Sequence, residues 1–236
     1  MSEPLSDDRS LGTVLVTGAA SGLGAAVAAA VRDAGGRPIA LDRVPVEGTP
    51  HEVVDLSDTR AAEAATRRLV DRAGGALDAV VTAAGTDRCG ALGDVDGQDW
   101  DRVVLVNLLG TVAVVRACLP YLRRSDNPRV VTVASTLGHR AVGDATAYCA
   151  SKFGVVGFTR ALQAESKGQL GVTLLTPGGM STAFFDDRDE QYKPGPDAKL
   201  NRPEDVAAAV IFTLRQPPGC EIKELVVASA EEISWP

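Results

Sequence analysis

The sequence predicts an α/β fold, a doubly wound parallel β-sheet of about seven strands with helices on both faces. Three observations carry that prediction. Short runs of Val, Leu, Ile and Thr alternate with Ala-rich stretches of helical length. The runs are flanked by Gly, Pro or Asp and are apolar throughout, as expected of strands buried on both faces. Between Leu11 and Ala230 no linker, repeat or low-complexity tract interrupts the 236-residue chain, so one domain spanning residues 11–236 is expected.

Taken in order, residues 1–10 are polar and acidic and read as a flexible tail. Thr13–Thr17 reads as the first strand, Gly22–Ala34 as the first helix, and Pro38–Leu41 and Glu52–Val54 as the next two strands. Helix Asp58–Ala73, strand Leu77–Thr82, a long helix Gln98–Arg124 and strand Arg129–Ala134 follow. Helix Thr146–Ser166 leads into strand Val172–Thr176. The stretch Ala183–Arg202, rich in Asp, Gly and Pro, is expected to be a mobile lid. Pro203 suits a first helical turn and places Glu204 and Asp205 at the positive end of helix Pro203–Leu214. Leu225–Ala228 reads as the last strand.

Composition excludes several functions. Lys and Arg number 24 against 31 Asp and Glu, a formal charge of −7. With no basic block, nucleic acid and anionic membrane are not expected partners. No apolar run of about 18 residues and no N-terminal signal pattern is apparent, which points to a cytoplasmic protein. Four cysteines stand apart without a C-x-x-C pair beside only two histidines, so neither a metal site nor a disulfide framework is expected.

Two patterns carry chemistry. Gly18-Ala-Ala-Ser21-Gly22-Leu23-Gly24 turns the first strand into a helix. Glycines there let the backbone approach a pyrophosphate, whose charge meets the helix N-terminus. Asp42, 18 residues beyond Gly24, stands where a carboxylate can accept both adenosine ribose hydroxyls. Its charge would repel the 2′-phosphate of NADP, whereas Arg43 beside it could pair with that phosphate. The balance favours NAD.

In Tyr148-Cys-Ala-Ser-Lys152 the two outer residues lie one turn apart on one helix face. An ammonium ~4 Å from the phenol at an effective dielectric near 20 contributes about 4 kcal/mol, roughly three pKa units. This predicts a phenol titrating near neutrality, suited to proton exchange with an alcohol oxygen. Ser135, at the end of the fifth strand, is 13 residues upstream of Tyr148.

These motifs together resemble the short-chain dehydrogenase/reductase family in its single-domain branch, which has a Rossmann fold. The resemblance runs from Leu11 to Ala228. It adds Asp55 in Val-Asp-Leu, Ala83-Ala84-Gly85, Asn107 in Val-Asn-Leu, and Pro177-Gly178-Gly-Met-Ser-Thr182. It implies Tyr148 as acid/base, Lys152 as the group that tunes it and holds the nicotinamide ribose, and Ser135 as the holder of the reacting oxygen. Asn107 would support a water relay through Lys152. Gly18, Ser21, Gly22, Leu23 and Gly24 would wrap the pyrophosphate, and Asp42 would bind the ribose. Asp55 and Leu56 would border the adenine. Ala83, Ala84 and Gly85 would let the cofactor approach the fourth strand, and Pro177, Gly178 and Thr182 would anchor the carboxamide. The resemblance further implies a homodimer or homotetramer paired through helices 98–124 and 146–166.

Two departures stand out. Thr82-Ala-Ala-Gly85 replaces the usual Asn-Asn-Ala-Gly, losing amides that would steady the central sheet. The C-terminal segment lacks the Asp-Gly-Gly that often follows the last strand, which weakens the likeness to NADPH-dependent 3-oxoacyl-(acyl-carrier-protein) reductases. The expected function is hydride transfer between NAD, or alternatively NADP, and a small-molecule secondary alcohol or ketone. The alternatives are such a 3-oxoacyl reductase and a non-catalytic NAD-binding sensor or scaffold. A methyltransferase would have no use for Tyr148 and Lys152. His139 reads as a solvent-facing loop residue, His51 as structural and Cys149 as packing. Phe184 and Phe185 read equally as lid packing or as an apolar wall over the substrate. Asp186, Asp187, Asp189 and Glu190 read as the lid's solvated face.

Overall fold

The computed structural model describes residues 10–235, so the expected tail lies outside the described residues except for Ser10. Seven strands form one parallel sheet: β1 (Thr13–Thr17), β2 (Arg37–Asp42), β3 (His51–Val53), β4 (Ala79–Thr82), β5 (Arg129–Val133), β6 (Gly171–Pro177) and β7 (Glu224–Val227). Their spatial order is β3-β2-β1-β4-β5-β6-β7. The order reverses between β1 and β4, and that switch point opens a crevice at the carboxyl ends of the strands.

Six α-helices complete the layers: α1 (Gly22–Asp33), α2 (Thr59–Arg72), α3 (Gly97–Val104), α4 (Thr111–Leu122), α5 (Thr146–Glu165) and α6 (Pro203–Leu214). Helices α1 and α6 pack together on one face, where Val27, Val31, Val206 and Val210 meet Val14, Val16 and Val81. Helices α2, α4 and α5 cover the other, where Leu69, Val114 and Leu162 meet Leu15, Val80 and Val130. The short aliphatic side chains of both cores suit the chain's low aromatic content of 4%. Arg129 is a buried exception. Its guanidinium donates to the carbonyls of Gln216, Pro217 and Cys220 and to Asn127, tying the α6–β7 connection beneath the sheet.

Strand β4 begins at Ala79 rather than the expected Leu77. Asp78 there accepts from the Thr13 amide at 2.8 Å and from the Ser125 hydroxyl at 2.7 Å, a side-chain clasp at the mouth of the strand. The expected long helix 98–124 is continuous but not uniform, because Leu105–Gly110 forms a π turn between α3 and α4. The 26-residue helix Gly97–Leu122 is long and apolar enough to cross a membrane, contrary to the sequence expectation. It is a core helix, with Val103, Val114, Cys118 and Leu122 buried in the sheet layers.

Candidate active site

A cleft of about 640 Å³ occupies the switch point and extends beneath the 183–192 segment. At its near end Gly18 turns with φ +69°, and a Cβ there would stand 2.8 Å from the Ala84 Cα. A Cβ on Gly24 would stand 2.0 Å from the Gly18 carbonyl oxygen. Both positions therefore need glycine for the loop to fold close against β4 and α1. Ser21 caps α1 without a side-chain bond, and no acidic residue sits in the first turn. The positive end of α1 is left for an external anion.

Asp42 ends β2 on the cleft rim, accepting from the Ala20 amide at 2.9 Å and the Val44 amide at 3.2 Å. Arg43 beside it is exposed. Asp55 and Leu56 form the next stretch of wall. Burial pulls the Asp55 carboxyl upward, but the Ser57 amide and Arg102, at 2.7 Å, outweigh it and hold the group below its ordinary range. The pyrophosphate-loop glycines, Ala83 to Gly85 and Pro177 to Thr182 face the same space. These features fit a dinucleotide.

Ser135, Tyr148 and Lys152 converge at the far end, all buried. Helix α5 starts at Thr146, so its first turn carries Tyr148 and its second Lys152. Lys152 Nζ donates to the Val133 carbonyl at 3.0 Å and lies 5.6 Å from the Tyr148 ring centroid.

The expectation that Lys152 brings the phenol near neutrality is overturned. Burial pushes Tyr148 up to about 12, with the Ser135 hydroxyl only partly offsetting it. Burial also pushes Lys152 down to about 8. Desolvation penalises both charged forms, whereas sequence spacing reflects only their mutual attraction. Between pH 8 and the ordinary lysine value the unfolded chain then binds a proton that the folded chain lacks, so stability rises with pH there. The expected result is a slope up to ~1.4 kcal/mol per pH unit steeper in the wild type than in Lys152→Met, read by urea denaturation across that window.

Asn107 is held inside the protein rather than in the cleft wall. It is 1% exposed and stands behind Gly85. Its side chain accepts from the Thr86 amide at 2.8 Å and donates to the Thr86 carbonyl at 2.9 Å and to Ser151 at 3.1 Å. The π turn presents this amide to the loop after β4 and spends its hydrogen bonds on protein. Nearby, Thr17 Oγ1 accepts from the Ala84 amide at 3.0 Å, while the Thr82 hydroxyl is buried without a partner. The unusual Thr82-Ala-Ala segment thus leaves one polar group unsatisfied in the central sheet.

The lid is more firmly held than its composition suggests. Short 3₁₀ turns at Ala183–Phe185 and Glu190–Tyr192 are tied down by an Arg188–Asp87 ion pair at 2.6 Å and by Tyr192 donating to Asp144 at 3.1 Å. Phe184 packs its ring 5.8 Å from that of Tyr148, and both it and Phe185 line the cleft. Phe184 thus packs on the domain, and both rings face the cleft. Asp186, Asp187 and Asp189 are exposed, as expected, but also rim the opening.

His139 is not solvent-facing. Its Nε2 lies 3.1 Å from Thr176 Oγ1 and its ring meets Trp235 edge to face at 5.4 Å. Burial and the Arg160 charge hold it below its ordinary value. Cys149 is buried and packs beside Val103, as expected. His51 begins β3, its Nδ1 2.9 Å from the Thr49 carbonyl.

Sequence reasoning missed Arg102, Asp87, Arg188 and Glu232 as cleft residues. Glu232 accepts from the Gly179 amide at 2.9 Å and from the Ser234 hydroxyl at 2.7 Å, while Ser234 also bonds Thr136, at 2.6 Å. The C-terminal segment is thereby strapped across the end of β6. Only Asp87, two residues after Gly85, lay near a recognised motif.

The chain is similar to known proteins over most of its length. A family model described as short chain dehydrogenase matches residues 12–193. The (2S)-[(R)-hydroxy(phenyl)methyl]succinyl-CoA dehydrogenase subunit BbsD of Thauera aromatica is 32% identical over 218 residues, 84% of this chain and 87% of that one. An uncharacterized oxidoreductase of Staphylococcus aureus strain MW2 is 28% identical over 233 residues, 90% and 95% of the two chains. The ligand-free aldohexose dehydrogenase of Thermoplasma acidophilum superposes with a TM-score of 0.83 at 25% identity, covering 94% of each chain. An alcohol dehydrogenase of Thermococcus sibiricus, solved with 5-hydroxy-NADP, shares the fold at a TM-score of 0.81 and 24% identity, covering 93% of this chain and 97% of that one. With the family model spanning more than half of the sequence, and a dehydrogenase relative matching most of it, this chain belongs to the short-chain dehydrogenase family of oxidoreductases.

Proposed function

We propose that the enzyme transfers hydride between NAD and a secondary alcohol or ketone, with Tyr148 as proton donor and acceptor. The observation that carries this reading is the convergence of Tyr148, Ser135 and Lys152 at one end of a cleft whose other end carries Asp42 and the uncapped α1. A nicotinamide dinucleotide bound there supplies the hydride. The protein contributes position and proton transfer.

The Tyr148 phenol, protonated at neutral pH like any tyrosine and pushed further up by burial, is suited to give its proton to a carbonyl oxygen during reduction. The Ser135 hydroxyl holds the same oxygen. The Lys152 ammonium stabilises the phenolate as the proton leaves, and Asn107, locked to Thr86 and Ser151, keeps the β4 exit loop in register behind it. Exposed Leu109 and Phe153, beside α4 and on α5, support assembly into a homo-oligomer.

The preference for NAD rests on Asp42, whose carboxylate lies on the cleft rim at the end of β2 and would meet a 2′-phosphate as a like charge. Fluorescence titration is expected to show NADH binding at least ~10-fold tighter than NADPH, since a juxtaposed like charge costs more than 1 kcal/mol. Asp42→Ala should erase most of that ratio, because NADPH is relieved of the like charge while NADH loses the ribose contact. Tighter NADPH binding by the wild type overturns the NAD assignment. A panel of alcohols and ketones followed by nicotinamide absorbance tests the reaction itself.

A further inference from the structure

The wall beside Tyr148 holds an ion pair that the proton-transfer chemistry does not use. Asp87, 3% exposed in its side chain, and Arg188, 17% exposed, pair at 2.6 Å, and both line the cleft. Cys89 donates to the same Asp87 oxygen at 3.3 Å, and Arg188 Nη1 donates to the Tyr192 carbonyl at 3.2 Å. The guanidinium lies over two rings, 4.6 Å from the Phe185 centroid and 5.3 Å from that of Phe184. Phe184 in turn stands against the ring of Tyr148.

We propose that the Arg188–Asp87 pair sets the charge of the substrate: the pocket takes an alcohol or ketone bearing an uncharged, planar apolar group and rejects one bearing a carboxylate or phosphate. This rests on the oxidoreductase reading above. An arginine in a substrate pocket ordinarily recruits carboxylates. Here Nη2 is held by a carboxylate withdrawn from solvent, Nη1 by the Tyr192 carbonyl, and Nε is buried, so an incoming anion has to displace Asp87 or lie beside it. Asp186, Asp187 and Asp189 on the rim add to that repulsion. Arg88, also on the cleft, pairs with Asp99 at 3.4 Å. What Arg188 does offer is its packing over Phe184 and Phe185, which together wall the cleft with planar and aromatic surface suited to a planar apolar group.

Acetophenone and 4-acetylbenzoate share the aryl ketone and differ by one para carboxylate. With the NADH-loaded wild type, kcat/KM for acetophenone is expected to exceed that for 4-acetylbenzoate by ~100-fold or more, as like-charge juxtaposition costs several kcal/mol. Asp87→Asn frees the guanidinium, and the ratio should fall at least ~10-fold through a gain on 4-acetylbenzoate. Adding Arg188→Met to that variant should abolish the gain. A wild type that treats both ketones alike or prefers the anion overturns the proposal, as does a folded Asp87→Asn with an unchanged ratio. If Asp87→Asn does not fold, the wild-type ratio decides.

Calorimetry of benzamide and benzoate on NAD-loaded Tyr148→Phe separates this from failure of the parent reading. Benzamide should bind and benzoate should not. That result stands even where the wild type turns over neither ketone, which would count against the reaction and not against the pocket. Binding of benzoate, or failure of benzamide to bind, overturns the proposal.

Discussion

Replacing Tyr148 by phenylalanine is expected to cut kcat by ~10²–10⁴-fold, the range contributed by a positioned general acid. NADH affinity should change by less than about threefold, because the ring and its packing against Phe184 remain and only the hydroxyl is lost. The change should also leave the melting temperature nearly unaltered, since Tyr148 is buried mainly through its ring. Steady-state kinetics beside fluorescence titration checks both halves. Retained turnover would sink the assignment of Tyr148. A wild type that binds NADH yet turns over no alcohol or ketone would favour a non-catalytic sensor.

The second large effect is expected at Gly24. Its Cβ would fall 2.0 Å from the Gly18 oxygen, 2.5 Å from the Gly18 carbonyl carbon and 3.0 Å from the Ala19 nitrogen, all backbone atoms that cannot rotate aside. Alanine favours a helix over glycine by up to about 1 kcal/mol, whereas overpacking at a fixed contact costs about 1–3 kcal/mol or more. The clash wins, and Gly24→Ala should lose ~1–3 kcal/mol in urea denaturation. Forcing the loop away from α1 also moves the amides expected to meet the pyrophosphate, so NADH affinity should fall at least ~10-fold. Gly97→Ala is the control: it also lies in a helix, but nothing stands within 4 Å of its Cβ. An affinity loss in both variants would mean that the contact with Gly18 is not the cause.

Much of the architecture was legible because it depends on local pattern. Strand β1 and helix α6 fall on their expected residues, and the other strands differ by one or two residues at their ends. Strands with two buried faces are apolar throughout, and a 3.6-residue periodicity marks the helices between them. The π turn at Leu105–Gly110 was not legible. Nothing in Leu-Val-Asn-Leu-Leu-Gly sets a π turn apart from an α-helical one, and the widened turn carries Asn107 toward Thr86 and Ser151, partners distant in sequence.

The contacts that hold the lid and the C-terminal segment were not legible for a related reason. An Asp-, Gly- and Pro-rich stretch says only that helix and strand are disfavoured. It does not say that Arg188 will find Asp87, about a hundred residues away in sequence, or that Glu232 will cap the Gly179 amide. His139 looked like a loop histidine until Trp235 folded over it.

Spacing and residue type determined which groups belong to the site: the glycine loop, Asp42, Ser135, Tyr148 and Lys152, because strand ends and helix turns fix where such residues emerge. Only the tertiary structure decided their electrostatics and the shape of the pocket beyond them. Burial, which depends on every element packed around a group, raises Tyr148 and lowers Lys152 against the attraction that their spacing suggests. The charge presented to a substrate likewise depends on contacts between segments far apart in the chain, and those exist only once the sheet has brought the segments together.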